Sequence, residues 1–253
     1  MELSNTRFQA VNVGSDFEQP EDISEYFTLQ APPNTHIWRK PSEYDDTTAP
    51  MLLTRLRQSF ILAEVTVSAD FQMEWDQAGL VIFAGALPSQ RPRTPIPRRI
   101  RRYSPYENTI APGSKWVKAG LEFTGGTINV SSVVATSACG SDWATAGCMP
   151  FRPYYDSYAS SQVRLKFERV DDALWIWFRI VDTSPSTNDH ESPESVGARW
   201  IKMREVMGFF GGREEKGNVW VGCYASRPMN WEPSNTLEEA GSLIAEFEDL
   251  DIL

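Results

Sequence analysis

A chain of 253 residues with a formal charge of −10, 41% hydrophobic residues and nine tryptophans has ample apolar material for a core, and its charge argues against general affinity for nucleic acid or anionic membrane. No apolar run approaches the roughly 20 residues that cross a bilayer, and the opening MELSNTRFQA lacks the basic start and apolar stretch of a signal peptide, so a cytoplasmic protein is expected. Cys139, Cys148 and Cys223 form no CxxC and no zinc spacing with histidine; reduced, structural thiols are expected, with a Cys139 to Cys148 bridge as the alternative in an oxidising compartment, and no metal or cofactor.

Taken in order, the alternation at Phe8, Ala10 and Val11 reads as an edge strand, and YFTLQA from Tyr26 reads as a strand ended by Pro32 and Pro33. Ile37 to Arg39 begins the next segment and 41–50 reads as loop. Ser59 to Met73 and Gly79 to Gly85 are the next strands. Between 86 and 113 the pattern breaks: this stretch holds six prolines and six arginines and has neither period. It reads as an inserted loop, either solvated surface or a lid whose guanidinium groups hold an anion. One domain, 1–253, is expected to contain it.

Lys115 to Phe123 alternates strictly, with Val117, Ala119 and Leu121 on one side and Trp116, Lys118 and Glu122 on the other. Gly125 and Gly126 supply a tight turn, and Ile128 to Ala135 runs back. After Trp143 a loop rich in glycine, proline and aromatic residues runs to Ser160. Gln162 to Val170 and Ala173 to Val181 form a hairpin through Asp171 and Asp172. A polar linker from Thr183 to Gly197 leads to Arg199 to Gly208, whose spacing is mixed. Val219 to Ala225 and Leu243 to Ile252 are the last strands. The whole reads as all-β.

The succession PPNTHIWRKP (from Pro32), DQAGL (Asp76 to Leu80), KWVKAGLEF, SSVVAT (Ser131 to Thr136), SDW (Ser141 to Trp143) and FEDLDI resembles the DUF1349 family. The sequence is most similar to fungal members, including the yeast protein described as a regulator of enolase. The resemblance implies a concanavalin A-like β-sandwich, a jelly roll of two antiparallel sheets as in lectins and glucanases, whose C-terminal strand closes against the N-terminal region. The inserted loop departs from the family pattern, in which a short turn joins the two strands around it. At His36 the family pattern has Asp, so a group able to transfer protons near neutrality stands at a changed position.

Alternation also sorts candidate site residues. If Val163, Leu165 and Phe167 are core, Arg164 and Lys166 point away; Ile176, Phe178 and Ile180 leave Trp175, Trp177 and Arg179; Val219, Val221 and Cys223 leave Trp220 and Tyr224. United on one surface, these would line an aromatic groove with Trp116, Lys118 and Glu122, and Trp38 and Trp143 at its rim. The alternative is a second, minor core beneath the long loops. Catalytic roles are expected for Lys118 and Arg179, polarising a carbonyl, for Glu122, orienting them, and for His36.

Asp70, Glu74 and Asp76 share parity without the ExDxE spacing of a retaining glucanase; glycoside hydrolysis is therefore set aside at this stage. Phosphate-loop, serine-elbow and HExxH motifs are absent. The expectation is a small-molecule metabolite as partner and a cofactor-independent isomerase or cyclase, of Diels-Alderase type, in fungal specialised metabolism. The alternative is a carbohydrate-binding or regulatory lectin-like module that binds a glycan.

Overall fold

The computed structural model describes residues 7–40, 45–85, 87, 114–136, 140–147, 162–181, 199–211, 218–229 and 241–253. The inserted loop apart from Leu87, the segment 150–160, the linker to Gly197, Cys139, Cys148 and His190 lie outside the described residues.

The early strands are β1 (Phe8–Val11), β2 (Tyr26–Ala31), β3 (Ile37–Arg39), β4 (Asp45–Thr47), β5 (Met51–Arg55), β6 (Leu62–Ala69) and β7 (Gln77–Gly85). The central group is β8 (Ser114–Thr124), β9 (Thr127–Ala135) and β10 (Asp142–Gly147). The last are β11 (Gln162–Val170), β12 (Ala173–Val181), β13 (Ile201–Val206), β14 (Val219–Ser226) and β15 (Leu243–Ile252). They form a seven-stranded sheet in the order β1-β5-β14-β7-β8-β9-β10, a six-stranded sheet in the order β13-β12-β11-β6-β15-β2, and the pair β3-β4. All strand pairings in the three sheets are antiparallel.

Between the large sheets lies one apolar cluster. Leu80, Ile82, Val117, Ala119, Leu121, Val221 and Cys223 enter it from the seven-stranded sheet, and Val65, Val163, Leu165, Ile176 and Phe247 from the other. These are alternate residues of each strand, which is how a sandwich divides its side chains. A second, smaller cluster covers the outer face of the seven-stranded sheet: Ile37, Met51, Leu53, Val81, Phe83, Trp116, Val133 and Tyr224. Arg39 fixes the β3-β4 pair beside it, donating to Asp45 at 2.6 and 2.8 Å and to the Ala135 carbonyl at 3.0 Å.

Two glycines allow this sheet to close. Gly79 and Gly120 stand opposite each other in register, and a Cβ on Gly120 would fall 2.0 Å from the Ala78 carbonyl oxygen. The turn expected at Gly125 and Gly126 is present, with φ of 62° and 76°.

Several expected boundaries shift. The loop expected over 41–50 contains β4, whose Asp45 is drawn into order by Arg39. Unassigned Met51–Arg55 is a strand, and β7 starts at Gln77 rather than Gly79. Both are covered on both faces, so neither shows clean alternation. Ser59 to Met73 contracts to β6, and Trp143 opens no loop: it lies inside β10.

Candidate functional site

The parity of every strand used to choose site residues agrees with the structure, but the strands belong to different sheets. Trp116, Lys118, Glu122, Trp143 and Tyr224 point outward from the seven-stranded sheet. Arg164, Trp175, Trp177 and Arg179 lie on β11 and β12 of the six-stranded sheet and point outward from that one. The two sets are on opposite exteriors of the sandwich, so the single groove is corrected to two separate faces. Lys118 and Arg179 do not converge on one carbonyl, and Glu122 does not orient Arg179. Alternation separates inside from outside; it does not say which outside.

On the seven-stranded sheet, neighbouring positions of β7, β8, β10 and β14 build a buried polar chain. Lys118 Nζ donates to Gln77 Oε1 at 2.5 Å, Gln77 Nε2 donates to Glu122 Oε1 at 2.8 Å, and Trp143 Nε1 donates to Glu122 Oε2 at 2.9 Å. Gln77 is thus a neutral spacer between an ammonium and a carboxylate, and each end of Glu122 is held by a neutral donor. Lys118 Nζ also lies 5.3 Å from the centre of the Tyr224 ring. The hydroxyls of Tyr224 and of Ser226, which is in register with Gln77, are buried and have no hydrogen-bond partner among the described residues.

Burial pushes the Lys118 ammonium down from 10.5 to about 8, and Glu122 offsets part of that fall. Tyr224 is pushed well above 10, first by burial and then by Glu122. Between pH 8 and 10.5 the unfolded chain keeps the Lys118 proton that the folded one has lost, so stability rises with pH there. Paired urea titrations should therefore show the wild type gaining on Lys118→Met across pH 8 to 10.5. Parallel pH profiles for the two proteins would show that this amine is not held by burial.

The exposed part of this face is a pair of indoles. Trp75 and Trp143 meet edge to face with centroids 5.8 Å apart and are 38% and 40% exposed. Trp75 has a φ of 70°, a conformation that bulky side chains rarely adopt. The turn that imposes it is tightly tied. Trp75 N–H donates to the Phe123 carbonyl at 2.8 Å, Phe123 N–H to the Asp76 carbonyl at 2.9 Å, and Asp76 N–H to the Met73 carbonyl at 3.0 Å. Asp76 Oδ2 accepts from the Gln72 and Met73 amides at 3.1 and 3.0 Å. Arg227, just past β14, closes on Asp76 with two bonds of 2.9 and 2.7 Å. Asp76 is therefore an anchor for the Trp75 turn, and Glu74 is engaged by Thr124 Oγ1 at 2.8 Å and the Gly125 amide at 3.0 Å.

The remaining candidates are less central. His36 is half-buried before β3, its amide donating to Thr48 Oγ1 at 2.9 Å and its carbonyl accepting from the Ala49 amide at 3.0 Å. Trp38 is exposed on β3 opposite Asp46. Trp116 is fully buried in the smaller cluster, with the Arg39 guanidinium 5.9 Å from its ring centre. Among the described residues no three of His, Cys, Asp and Glu are placed to hold a metal, and no helix is long and apolar enough to cross a membrane.

Trp75, Gln77, Ser226 and Arg227 escaped the reading of the sequence. Gln77 precedes the apolar run that marks β7, and Arg227 meets a partner 151 positions away, which no local pattern announces. The signal for Trp75 is a large indole directly before the strand, where burial would have called for continued alternation.

The family described as "Protein of unknown function (DUF1349)" matches residues 17–252. An uncharacterized protein of Emericella nidulans is 27% identical over 97% of this chain and 94% of its own length. A functionally unknown protein from Saccharomyces cerevisiae, of known structure, covers 100% of this chain and 98% of its own at 19% identity and a TM-score of 0.58, a likeness of fold. The GH43 protein BlXynB from Bacillus licheniformis resembles the chain more distantly, at 15% identity and a TM-score of 0.45, over 89% of this chain and 32% of that one. The chain thus spans about a third of the GH43 protein. These likenesses correct the expectation of a cofactor-independent isomerase or cyclase with glycoside hydrolysis set aside. Glycoside hydrolysis is not set aside for this chain.

Proposed function

The chain belongs to the DUF1349 family, and on that premise we propose that it binds carbohydrate on the outer face of its seven-stranded sheet, with Trp75 and Trp143 as the stacking platform. The observation that carries the reading is Trp75: a large aromatic residue held at φ 70° with its indole substantially exposed. Such a backbone costs of order 1–3 kcal/mol. A turn built only to fold would place a small residue there, whereas a turn that presents an indole to a ligand must accept the strain. Edge-to-face indoles offer two flat apolar surfaces at an angle, which fits the C–H faces of adjoining sugar rings.

Behind the platform, Glu122 fixes the Trp143 ring through its N–H, and Gln77 and Lys118 fix Glu122. The orientation of the exposed ring is set by buried polar chemistry. We further read the sandwich as a jelly roll of the concanavalin A-like kind. That reading is supported by the way the chain passes from sheet to sheet at β1-β2, β5-β6, β6-β7, β10-β11, β13-β14 and β14-β15.

Native gels cast with soluble xylan, β-1,3-glucan or β-1,4-glucan test the binding. The wild type should be retarded by at least one polysaccharide, and Trp75→Ala and Trp143→Ala should each weaken the retardation roughly tenfold, the scale of one lost stacking partner. Release of reducing ends in the same mixtures reports whether the bound glycan is also cut. Free migration of the wild type in every gel, or retardation unchanged in both variants, would overturn the reading.

A further inference from the structure

The opposite exterior carries a second constellation, independent of the carbohydrate reading. Lys166, Trp177 and Lys202 stand in register across β11, β12 and β13. Lys202 Nζ lies 3.2 Å from the centre of the Trp175 ring and 5.7 Å from that of Trp177. Lys166 Nζ lies 5.2 and 4.8 Å from Trp177 and Trp200, and the Arg179 guanidinium is 5.2 Å from Trp200. The three indole faces are thus taken up by cations, which orient the charged heads and leave little ring surface for stacking.

The buried polar atoms left over here, among the described residues, are both donors. The indole N–H groups of Trp175 and Trp177 are buried without an acceptor among the described residues. Carboxylates neutralise the neighbouring cations: Arg164 meets Glu64 at 3.1 Å and Lys166 meets Glu168 at 3.6 Å. Among the described residues Arg179 and Lys202 have ring partners and no carboxylate within 4.0 Å. Among the described residues, two cations without a carboxylate within 4.0 Å thus stand beside two buried N–H groups without an acceptor, with Glu168 and Glu205 in register on either side of Trp175. A buried donor left unpaired is costly, and an oxyanion satisfies donors and cations together.

We propose that the outer face of β12 and β13 is a binding site for an oxyanion, a carboxylate, sulfate or phosphate group, held by Arg179, Lys202 and the indole N–H groups of Trp175 and Trp177. The group is inorganic or is carried on a small molecule. The site stands on the exterior opposite the Trp75 and Trp143 platform, so the protein has two ligand faces of different chemistry.

The test uses the full chain labelled with nitrogen-15. Sodium phosphate, sodium sulfate and sodium D-galacturonate are titrated separately against sodium chloride at matched ionic strength. The indole cross-peaks of Trp175 and Trp177, assigned through their Phe variants, should move saturably with at least one oxyanion and stay in place with chloride. The arm that saturates at the lowest concentration identifies the group. In the double variant Arg179→Gln, Lys202→Gln the apparent affinity should fall about tenfold or more, while the Trp143 indole peak, on the other sheet, reports an intact fold. Indole peaks that stay in place in all three arms, that move equally with chloride, or that titrate identically in the double variant would overturn the proposal.

Discussion

Arg227→Met should lower the stability of the protein by about 3–5 kcal/mol, the usual consequence of leaving one partner of a buried ion pair without the other. Both groups are almost wholly buried, at 2% and 0% exposure. Arg227 also donates to the Gly241 carbonyl, and its own amide donates to Thr35 Oγ1 at 2.9 Å. Loss of the side chain therefore unties the end of β14 from Asp76 and from the Gly241 carbonyl before β15, while the backbone bond to Thr35 remains. A chain of this size should lose roughly 10 °C in melting temperature. The double variant Asp76→Asn, Arg227→Met should be more stable than Arg227→Met alone, because it removes the stranded charge; the comparison is a double-mutant cycle read by urea denaturation. Since Asp76 also holds the Trp75 turn, Arg227→Met should weaken any ligand held by that indole. Equal stability of Arg227→Met and the wild type would show that the pair is not formed.

Gly120→Val should prevent the protein from accumulating in a folded form. A Cβ at this position would sit 2.0 Å from the Ala78 carbonyl oxygen and 2.9 Å from the Gly79 Cα, both backbone atoms of a central strand with no freedom to withdraw. Contacts that close force the strands apart, and β7 and β8 stand at the middle of the seven-stranded sheet. Gly120→Ala should be destabilised in the same sense and to a lesser degree, since it carries the Cβ without the branches. Gly147→Ala, where nothing lies within 4 Å of the added atom, serves as the control and should stay within about 0.5 kcal/mol of the wild type. Soluble, cooperatively folding Gly120→Val would contradict the close approach of the two strands.

Alternation carried much of this structure into the sequence. Lys115 to Phe123 with its return strand and the hairpin through Asp171 and Asp172 were legible, because each has one face in the core and one outside it; the closing of the last strand on the N-terminal region, which β15 makes with β2, came from the family resemblance instead. β5 and β7 were not, or only in part, because the smaller cluster covers their second face and removes the period. The assignment of Trp177 and Trp116 to one groove failed for a different reason. A strand's parity is local, whereas its sheet is decided by long-range pairing, and β11 and β12 join β6 rather than β8. Trp75 shows in the sequence only as a large indole ahead of β7; the feature that singles it out is a dihedral angle. The Asp76 and Arg227 pair could be found only in space.

Calorimetric titration of xylohexaose, laminarihexaose and cellohexaose into the wild type, Trp75→Ala and Trp177→Ala tests the carbohydrate reading most directly, because the two indoles stand on opposite exteriors of the sandwich. The account predicts saturable heat for at least one oligosaccharide, with affinity reduced roughly tenfold in Trp75→Ala and unchanged in Trp177→Ala. No saturable heat with any of the three, or a loss confined to Trp177→Ala, would contradict it.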